Sequence, residues 1–277
     1  MMKIWGRRSS FNVQKVLWLA AELGITHQHI DAGGRFGGLD TPEFLAMNPN
    51  GKIPVLQDAD GTTVWESHAI LRYLAAKYCG AAANTVEARA TAIRTAADAP
   101  DGADAAGACA ASNASNASNP SKASDASDAS AAYPASRSAQ CHTLWSNDPA
   151  IQSRADRWMD WTQSTLQPAF LTGVFWGFYR TPEGQRDWPA IERSLAQCAK
   201  LFRLLDNELA RHPYLTGDAL TLADIAVGTA LYRYYELDIE RPQLPHVEAW
   251  YDRLRERDAY RNHVMIPFDE LRGNLEY

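Results

Sequence analysis

The chain has 277 residues, of which 46% are hydrophobic, so its length and composition allow two domains with apolar cores. Its formal net charge of −6 and the lack of a basic stripe argue against nucleic acid as a partner. No apolar stretch is long enough to span a membrane, so a membrane is not an expected partner either. The four cysteines, Cys79, Cys109, Cys141 and Cys198, form no C-x-x-C pair, which favours reduced thiols and a cytoplasmic location.

The first 47 residues predict alternating strands and helices. The first helix follows a polar turn and carries an apolar face that ends at Gly24, a residue typical of helix C-termini. The glycine-rich run AGGRFGG lacks the G-x-G-x-x-G pattern, so we predict a loop there and no phosphate site. The predicted order is a strand at 3–7, a turn at 9–12, a helix to Gly24, a strand at 25–31, a loop at 32–38 and a helix at 41–46.

Residues 48–56, NPNGKIPVL, predict a strand that contains a proline. Pro54 cannot donate a backbone hydrogen bond, so it belongs at a strand start, on an edge or at a bulge, and its peptide bond can be cis. In each case the backbone of Ile53 is able to pair with something other than its own sheet. We therefore predict that an extended peptide adds at this edge.

Residues 64–74, VWESHAILRYL, predict the end of a strand followed by a helix. The run DADG before them has turn chemistry, and Ser67 is a favourable N-cap before an apolar helix face. The free N–H groups of this helix end suit a carboxylate, and Glu66 can accept a hydrogen bond from a ligand ammonium. The two segments together predict a site for a small peptide that ends in a free α-amino acid.

This pair of segments resembles the glutathione site of the glutathione S-transferases. In that family the residue before a cis-proline pairs with the cysteinyl backbone of glutathione, and an acidic or amide residue followed by serine holds the γ-glutamyl end. Ile53-Pro54 and Glu66-Ser67 match this pattern at the family's spacing. The resemblance implies an α/β plus all-α fold, with a thioredoxin-like N-terminal domain of order β-α-β-α-β-β-α and an all-helical C-terminal domain. Taken singly, the two segments are also compatible with a buried hairpin and an ordinary helix cap.

The chemistry that the resemblance implies needs a glutathione thiolate, stabilised by a donor at the start of the first helix. Residues 1–72 contain no tyrosine and residues 1–78 no cysteine, so the tyrosine and cysteine versions of the family are excluded. The remaining donors are Ser9, Ser10 and Asn12. We predict that Ser10 and Asn12 share the catalytic role, because SSFNVQKV resembles bacterial members with a serine or threonine two residues before an asparagine. Alternatively, Ser10 or Asn12 caps the helix.

Five further residues are candidates for substrate contacts. The resemblance implies that Lys52, with Arg35 as a second candidate, neutralises the glycyl carboxylate of glutathione, although both could be solvated surface charges. Phe11, Trp176 and Tyr179 are predicted to line the acceptor-substrate pocket, and as helix aromatics they could equally belong to the core. No metal is expected, since two histidines on one strand face rarely make a metal site. Glutathione is expected as a co-substrate.

Residues 81–140 differ in composition from the rest of the chain. Ala, Ser, Asn and Asp dominate and large apolar residues are almost absent, so burial cannot offset the entropy of ordering. We predict a disordered low-complexity insertion, which divides the chain into a glutathione-binding domain at 1–80, an insertion or linker at 81–143 and a helical domain at 144–277. Lengthening a linker of roughly 10 residues to roughly 70 costs only about 1.5–2 kcal/mol of closure entropy.

The sequence after the insertion predicts helices only. A helix over 149–179 contains Pro168, which is expected to bend it. Thr221 with Asp224 three residues later forms a capping-box pattern, for which the resemblance implies a role in folding.

These features predict a glutathione transferase that conjugates the thiolate of glutathione to small, mostly apolar electrophiles in detoxification. The resemblance also implies a homodimer. The alternatives are a non-catalytic binding or interaction protein of the same fold, and a glutathione-dependent disulfide reductase or dehalogenase.

Overall fold

The structure, a computed structural model, describes residues 1–79 and 144–275. The predicted insertion at 81–143, with Cys109 and Cys141 in it, lies outside the described residues. Within the described part, no helix combines the length and the apolar composition needed to cross a membrane.

The N-terminal part is built on a four-stranded sheet with the strand order β2-β1-β3-β4. The pair β1–β2 is parallel and is connected through α1, whereas β1–β3 and β3–β4 are antiparallel. The elements are β1 (Met2–Trp5), α1 (Phe11–Glu22), β2 (His27–Ile30), α2 (Pro42–Met47), β3 (Val55–Gln57), β4 (Thr63–Trp65) and α3, which is helical over residues 67–79. This order confirms the predicted thioredoxin-like β-α-β-α-β-β-α arrangement.

Helix α1 is buried on most of its surface because it packs against both parts of the molecule. One continuous cluster of buried side chains joins Ile4 of the sheet, α1 and the helical part. The ring of Trp18 meets Tyr260 edge to face at 4.8 Å. A Cβ on Gly228 would lie 2.7 Å from Leu254 and 3.4 Å from Trp18, so the close approach at this point requires glycine. The middle of α1 is therefore packed against the helical part at Trp18.

The C-terminal part is entirely helical, as predicted. Two stretches of wider, π-helical turns, Thr162–Leu166 and Pro168–Arg180, follow α4. The α-helices are α4 (Pro149–Trp161), α5 (Trp188–Leu209), α6 (Leu222–Glu236), α7 (Pro245–Arg255) and α8 (Asp258–His263).

The bend predicted at Pro168 stays a prediction, and the structure adds π-helical turns on both sides of this residue. Backbone hydrogen bonds from residue i to residue i−5, typical of a π-helix, occur on both sides of the proline. For example, the N–H of Thr181 donates to the carbonyl of Trp176, five residues back, at 2.9 Å. Pro168 lacks the N–H that an α-helical ladder needs at this point, and it begins the second π-helical stretch.

The capping box at the start of α6 is confirmed. Asp224 is fully buried, and its Oδ2 accepts from the backbone N–H of Thr221 at 2.8 Å. Its Oδ1 accepts from the N–H of Leu215 at 2.9 Å, which ties the preceding turn to the helix. Burial raises the pKa of Asp224 to about 6, while these hydrogen bonds act in the opposite direction.

Candidate active site

The strand edge at Ile53 is available for a ligand. The Ile53–Pro54 peptide bond is cis, and β3 begins only at Val55. Within residues 1–79 and 144–275, the backbone N–H and C=O of Ile53 make no hydrogen bond. Gly6, at φ +143°, makes room for this segment, since a Cβ there would lie 3.2 Å from the Cβ of Ile53. An extended peptide can therefore pair with this edge as the sequence predicts.

The start of α3 differs by one residue from the prediction. Ser67 is the first helical residue rather than the N-cap, and the carbonyl of Glu66 accepts from the N–H of Ile70 at 2.9 Å. Glu66 has φ 70°, the one positive φ of a non-glycine residue in the described chain. Such a backbone costs about 1–3 kcal/mol and is typical of ligand sites. It leaves the Glu66 side chain exposed, whereas Ser67 is 3% exposed.

The start of α1 contains the three predicted donors. Ser10 occupies the N-cap position, but its side chain makes no capping hydrogen bond. Ser9 is buried, and its hydroxyl has no partner among the described residues. Ser10 and Asn12 are half-buried, so both have surface for a ligand. The capping alternative for Ser10 therefore lacks the hydrogen bond that would support it.

Asn12 joins the starts of the two helices. Ser67 Oγ donates to Asn12 Oδ1 at 3.4 Å, and Lys15 Nζ donates to the same oxygen at 3.1 Å. For Asn12 Nδ2 no hydrogen-bond partner exists among the described residues. The carboxamide is thus fixed through its oxygen, and its two N–H donors remain available to a ligand.

The sequence did not identify Lys15 as part of this site. It is fully buried, and its ammonium also lies 3.1 Å from His68 Nε2 and 3.1 Å from Gln167 Oε1. Burial lowers the pKa of Lys15 to about 7, and the charge of Glu66 acts in the opposite direction. Burial, and next the charge of Lys15, lower the pKa of His68 to about 2, so His68 is neutral and accepts from the ammonium.

The two predicted carboxylate-binding cations are both on the surface. Lys52 is exposed and directly precedes Ile53. Arg35 is 70% exposed and pairs with Glu270 at 3.0 Å, which links the glycine-rich loop to the C-terminal segment. A cavity of about 350 Å³ lies between this loop and residues 49–51, beside Lys52 in the chain. The roles of Lys52 and Arg35 toward glutathione stay predictions.

The three aromatic residues predicted for the acceptor pocket differ in burial. Phe11 and Tyr179 are buried, and Tyr179 stacks on Phe175 with ring centroids 5.3 Å apart. Trp176 is half-buried, and the guanidinium of Arg180 lies 3.9 Å from its ring. Phe11 lies beside the cluster described above, with Lys15 Nζ 4.8 Å from its ring. Their contact with an acceptor substrate stays a prediction.

Residues 1–79 and 144–275 contain no group of three His, Cys, Asp or Glu side chains arranged to hold a metal. The absence of a metal nevertheless stays an expectation, because this finding covers only the described residues and the expectation concerns the whole chain.

Fold and site together define a class of protein. A thioredoxin-like domain presents an open strand edge and two helix N-termini to a small peptide, and a helical domain packs over the start of α1.

Comparisons with known proteins agree with this class. The family model for the glutathione S-transferase N-terminal domain matches residues 9–77, and that for the C-terminal domain matches residues 168–258. Glutathione S-transferase GstB of Escherichia coli is 33% identical over 268 residues, which cover 96% of this chain and 99% of that protein. Glutathione S-transferase 3 of Zea mays is 26% identical over 95% of this chain and 93% of its own length.

A solved structure extends the similarity to three dimensions. The theta class glutathione S-transferase from Xanthomonas axonopodis pv. citri, with glutathione bound, has a TM-score of 0.70 and 38% sequence identity. The match covers 96% of this chain and 98% of that one. The chain described here belongs to the glutathione S-transferase family.

Proposed function

We propose that this protein binds glutathione, lowers the pKa of its thiol and transfers the thiolate to small, mostly apolar electrophiles. The observation that carries the proposal is the geometry of Asn12. Its Oδ1 accepts from Ser67 and Lys15, while its Nδ2 has no partner within residues 1–79 and 144–275. A carboxamide N–H at the start of α1 is thereby left to donate to a sulfur.

We propose that the rest of glutathione binds along the same site. The cysteinyl backbone of glutathione pairs with Ile53, as in β-strand addition. The γ-glutamyl carboxylate binds at the N-terminus of α3 and accepts from the hydroxyl of Ser67, which then turns away from Asn12 Oδ1 and leaves Lys15 as the donor to that oxygen. The α-ammonium of the γ-glutamyl group binds Glu66. Lys52, with Arg35 as a second candidate, neutralises the glycyl carboxylate.

The energy needed for the thiolate is within reach of these groups. A thiol pKa of about 8.5 must fall by about two units to make the thiolate dominant at neutral pH, or about 2.7 kcal/mol. One hydrogen bond to a charged sulfur supplies about 1.5–3 kcal/mol. The N-terminus of α1 adds about 0.3–1 kcal/mol. Ser10 and Asn12 together with α1 are therefore sufficient.

In the transfer step the thiol proton leaves to solvent when glutathione binds. The sulfur then donates an electron pair to the electrophilic carbon, and the leaving group departs with its own bonding pair. We propose that Phe11, Trp176 and Tyr179 line the apolar side of the acceptor pocket. Trp176 is the member that retains exposed surface.

We also propose that the protein is a cytoplasmic homodimer that acts in detoxification. Trp65 lies on the edge strand β4 with 38% of its surface exposed, and Leu45 is 39% exposed. Apolar side chains at a sheet edge favour a protein partner over solvent.

The domain boundaries proposed from the sequence are 1–80, 81–143 and 144–277. The family models match on either side of the middle segment and not within it. We propose that residues 81–143 are an insertion without contacts to glutathione. Deletion of residues 81–140 is then expected to leave glutathione affinity unchanged in a calorimetric titration, and lost binding would contradict this.

A glutathione-dependent disulfide reductase or dehalogenase would use the same glutathione thiolate, so it is separated from a transferase by the substrate that is turned over. A non-catalytic binding protein of the same fold would bind glutathione but convert no electrophile, so a turnover assay distinguishes it from a transferase.

The full-length chain tests the proposal directly. Calorimetry with glutathione is expected to give saturable binding, and an activated aryl halide is expected to be conjugated only when the protein is present. S-methylglutathione is the matched control, because it should bind and not react. Binding without turnover on any electrophile would support the non-catalytic alternative, and no binding would contradict both.

A further inference from the structure

We propose that Lys15 is a positioning residue for the transfer reaction: it holds Asn12 so that Nδ2 faces the sulfur, and it places a buried positive charge behind that amide. This inference rests on the proposed function, because it deepens the account of how the thiolate is stabilised.

The hydrogen bonds of Lys15 determine how Asn12 is oriented. An ammonium has three donors and no acceptor, so each atom that faces it must accept. The three atoms at 3.1 Å are Asn12 Oδ1, His68 Nε2 and Gln167 Oε1, which together use all three donors. The hydroxyl of Ser67 approaches the same Oδ1. The carboxamide therefore cannot flip without losing the bond from the ammonium, and Nδ2 stays on the ligand side.

The charge of Lys15 is not neutralised by a neighbouring carboxylate. No ion pair involving Lys15 occurs among residues 1–79 and 144–275. Burial is the main cause of the lowered pKa of Lys15 and of His68. The nearby charges act at longer range: the exposed Glu66 partly opposes the lowering at Lys15, while Lys15 and Arg72 add to the lowering at His68. An unpaired buried ammonium is unfavourable. A thiolate on the far side of Asn12 would offset this cost, because its negative charge would raise the pKa of Lys15 above about 7 and keep the ammonium charged. By the same coupling Lys15 would favour ionisation of the thiol.

The second domain takes part in this arrangement. Gln167 lies between the two π-helical stretches and is separated by 152 residues from Lys15. It supplies one of the three acceptors, so the ammonium is enclosed only when both domains are in place. Phe11 covers the ammonium from another side, with its ring centroid 4.8 Å away.

The test compares Lys15→Met with Gln14→Met in the full-length protein. Both residues are buried on α1, and both variants receive the same side chain, but no side-chain hydrogen bond joins Gln14 to Asn12 among the described residues. The readout is the pH dependence of the thiolate absorbance of bound glutathione. In Lys15→Met the thiol pKa is expected to rise by about one unit or more, which is about a tenfold decrease in the ionisation constant of the thiol. Gln14→Met is expected to titrate like the wild type.

Two further measurements separate this role from a structural one. The loss of kcat/KM in Lys15→Met is expected to shrink above pH of about 8.5, where the free thiol ionises unaided; a purely structural defect would persist at every pH. The affinity for S-methylglutathione is expected to stay within about threefold of wild type. This ligand has no thiol to ionise, so a change in the thiol pKa does not change its binding. Lys15→Gln, which keeps hydrogen bonding and removes the charge, is the second variant should methionine prevent folding.

An unchanged thiol titration in both Lys15 variants would overturn the inference, as would an equal shift in Gln14→Met. Failure of the wild type to form a bound thiolate would instead contradict the proposed function itself.

Discussion

The guanidinium Nη2 of Arg233 lies 2.5 Å from the carbonyl oxygen of Ser9, a contact between residues 224 positions apart in the chain. Arg233 is fully buried on α6, and its guanidinium lies 4.6 Å from the ring of Phe175 and 5.7 Å from that of Phe11. Burial, with Arg7 and Arg180 as further causes, lowers its pKa to about 9. The helical domain thus fixes the loop that carries Ser10.

Arg233→Met tests this coupling. Removal of a hydrogen bond from a charged donor is expected to lower the free energy of unfolding by about 1.5–3 kcal/mol and to weaken glutathione binding, because the loop before α1 is released. Urea unfolding and calorimetry measure the two effects. Arg241→Met is the matched control, since Arg241 also donates to backbone carbonyls, those of Tyr234 and Leu237, but within residues 1–79 and 144–275 it makes no hydrogen bond with the loop. Equal losses of affinity in the two variants would contradict a specific role for Arg233.

Ser67→Ala is expected to weaken glutathione binding and leave folding intact. The lost hydroxyl would donate to the γ-glutamyl carboxylate, and a hydrogen bond to a charged group is worth about 1.5–3 kcal/mol. Calorimetric titration measures the difference. The control is Ser164→Ala, which removes an exposed hydroxyl that donates to the carbonyl of Asp160. If Ser67→Ala binds as tightly as Ser164→Ala, Ser67 has only a structural role.

Asp224 is expected to make stability depend on pH. Its pKa is raised from 3.8 to about 6 in the folded state, so between these values the folded chain binds more protons than the unfolded one. Its contribution to stability is complete below the unfolded pKa and is lost as pH rises through about 6. Urea unfolding across this pH range measures the slope.

In Asp224→Asn that part of the slope should vanish. The variant should also lose about 1–3 kcal/mol at neutral pH, because one oxygen no longer accepts from Thr221. An identical pH slope in both proteins would show that Asp224 does not titrate in this range.

The sequence was sufficient to predict the thioredoxin-like order, the proline at the start of β3 and the helix start beside Glu66-Ser67. The signals used were local: each determines the backbone conformation within a few residues of its own position. They are Pro54, the DADG turn and the Glu66-Ser67 pair. The position of Ser67 one residue into the helix escaped prediction, because the positive φ of Glu66 depends on the surrounding structure.

Lys15 and Arg233 could not be identified from sequence for a physical reason. A lysine three residues after Asn12 in an apolar helix resembles an ordinary solvent-facing position, and its acceptors His68 and Gln167 lie 53 and 152 residues away. The contact of Arg233 with Ser9 is equally non-local. Only the tertiary fold brings His68, Gln167 and Arg233 to the start of α1.

The central claim is that Ser10 and Asn12 stabilise the thiolate of bound glutathione, and a pH titration of its absorbance tests this most directly. Each donor is expected to contribute about 1–3 kcal/mol, so Ser10→Ala and Asn12→Ala should each raise the thiol pKa without abolishing activity. The double variant should raise it further while S-methylglutathione still binds. A shift in Asn12→Ala alone would assign the role to the amide and leave Ser10 as a helix-start residue. A wild-type titration in the double variant would contradict the account.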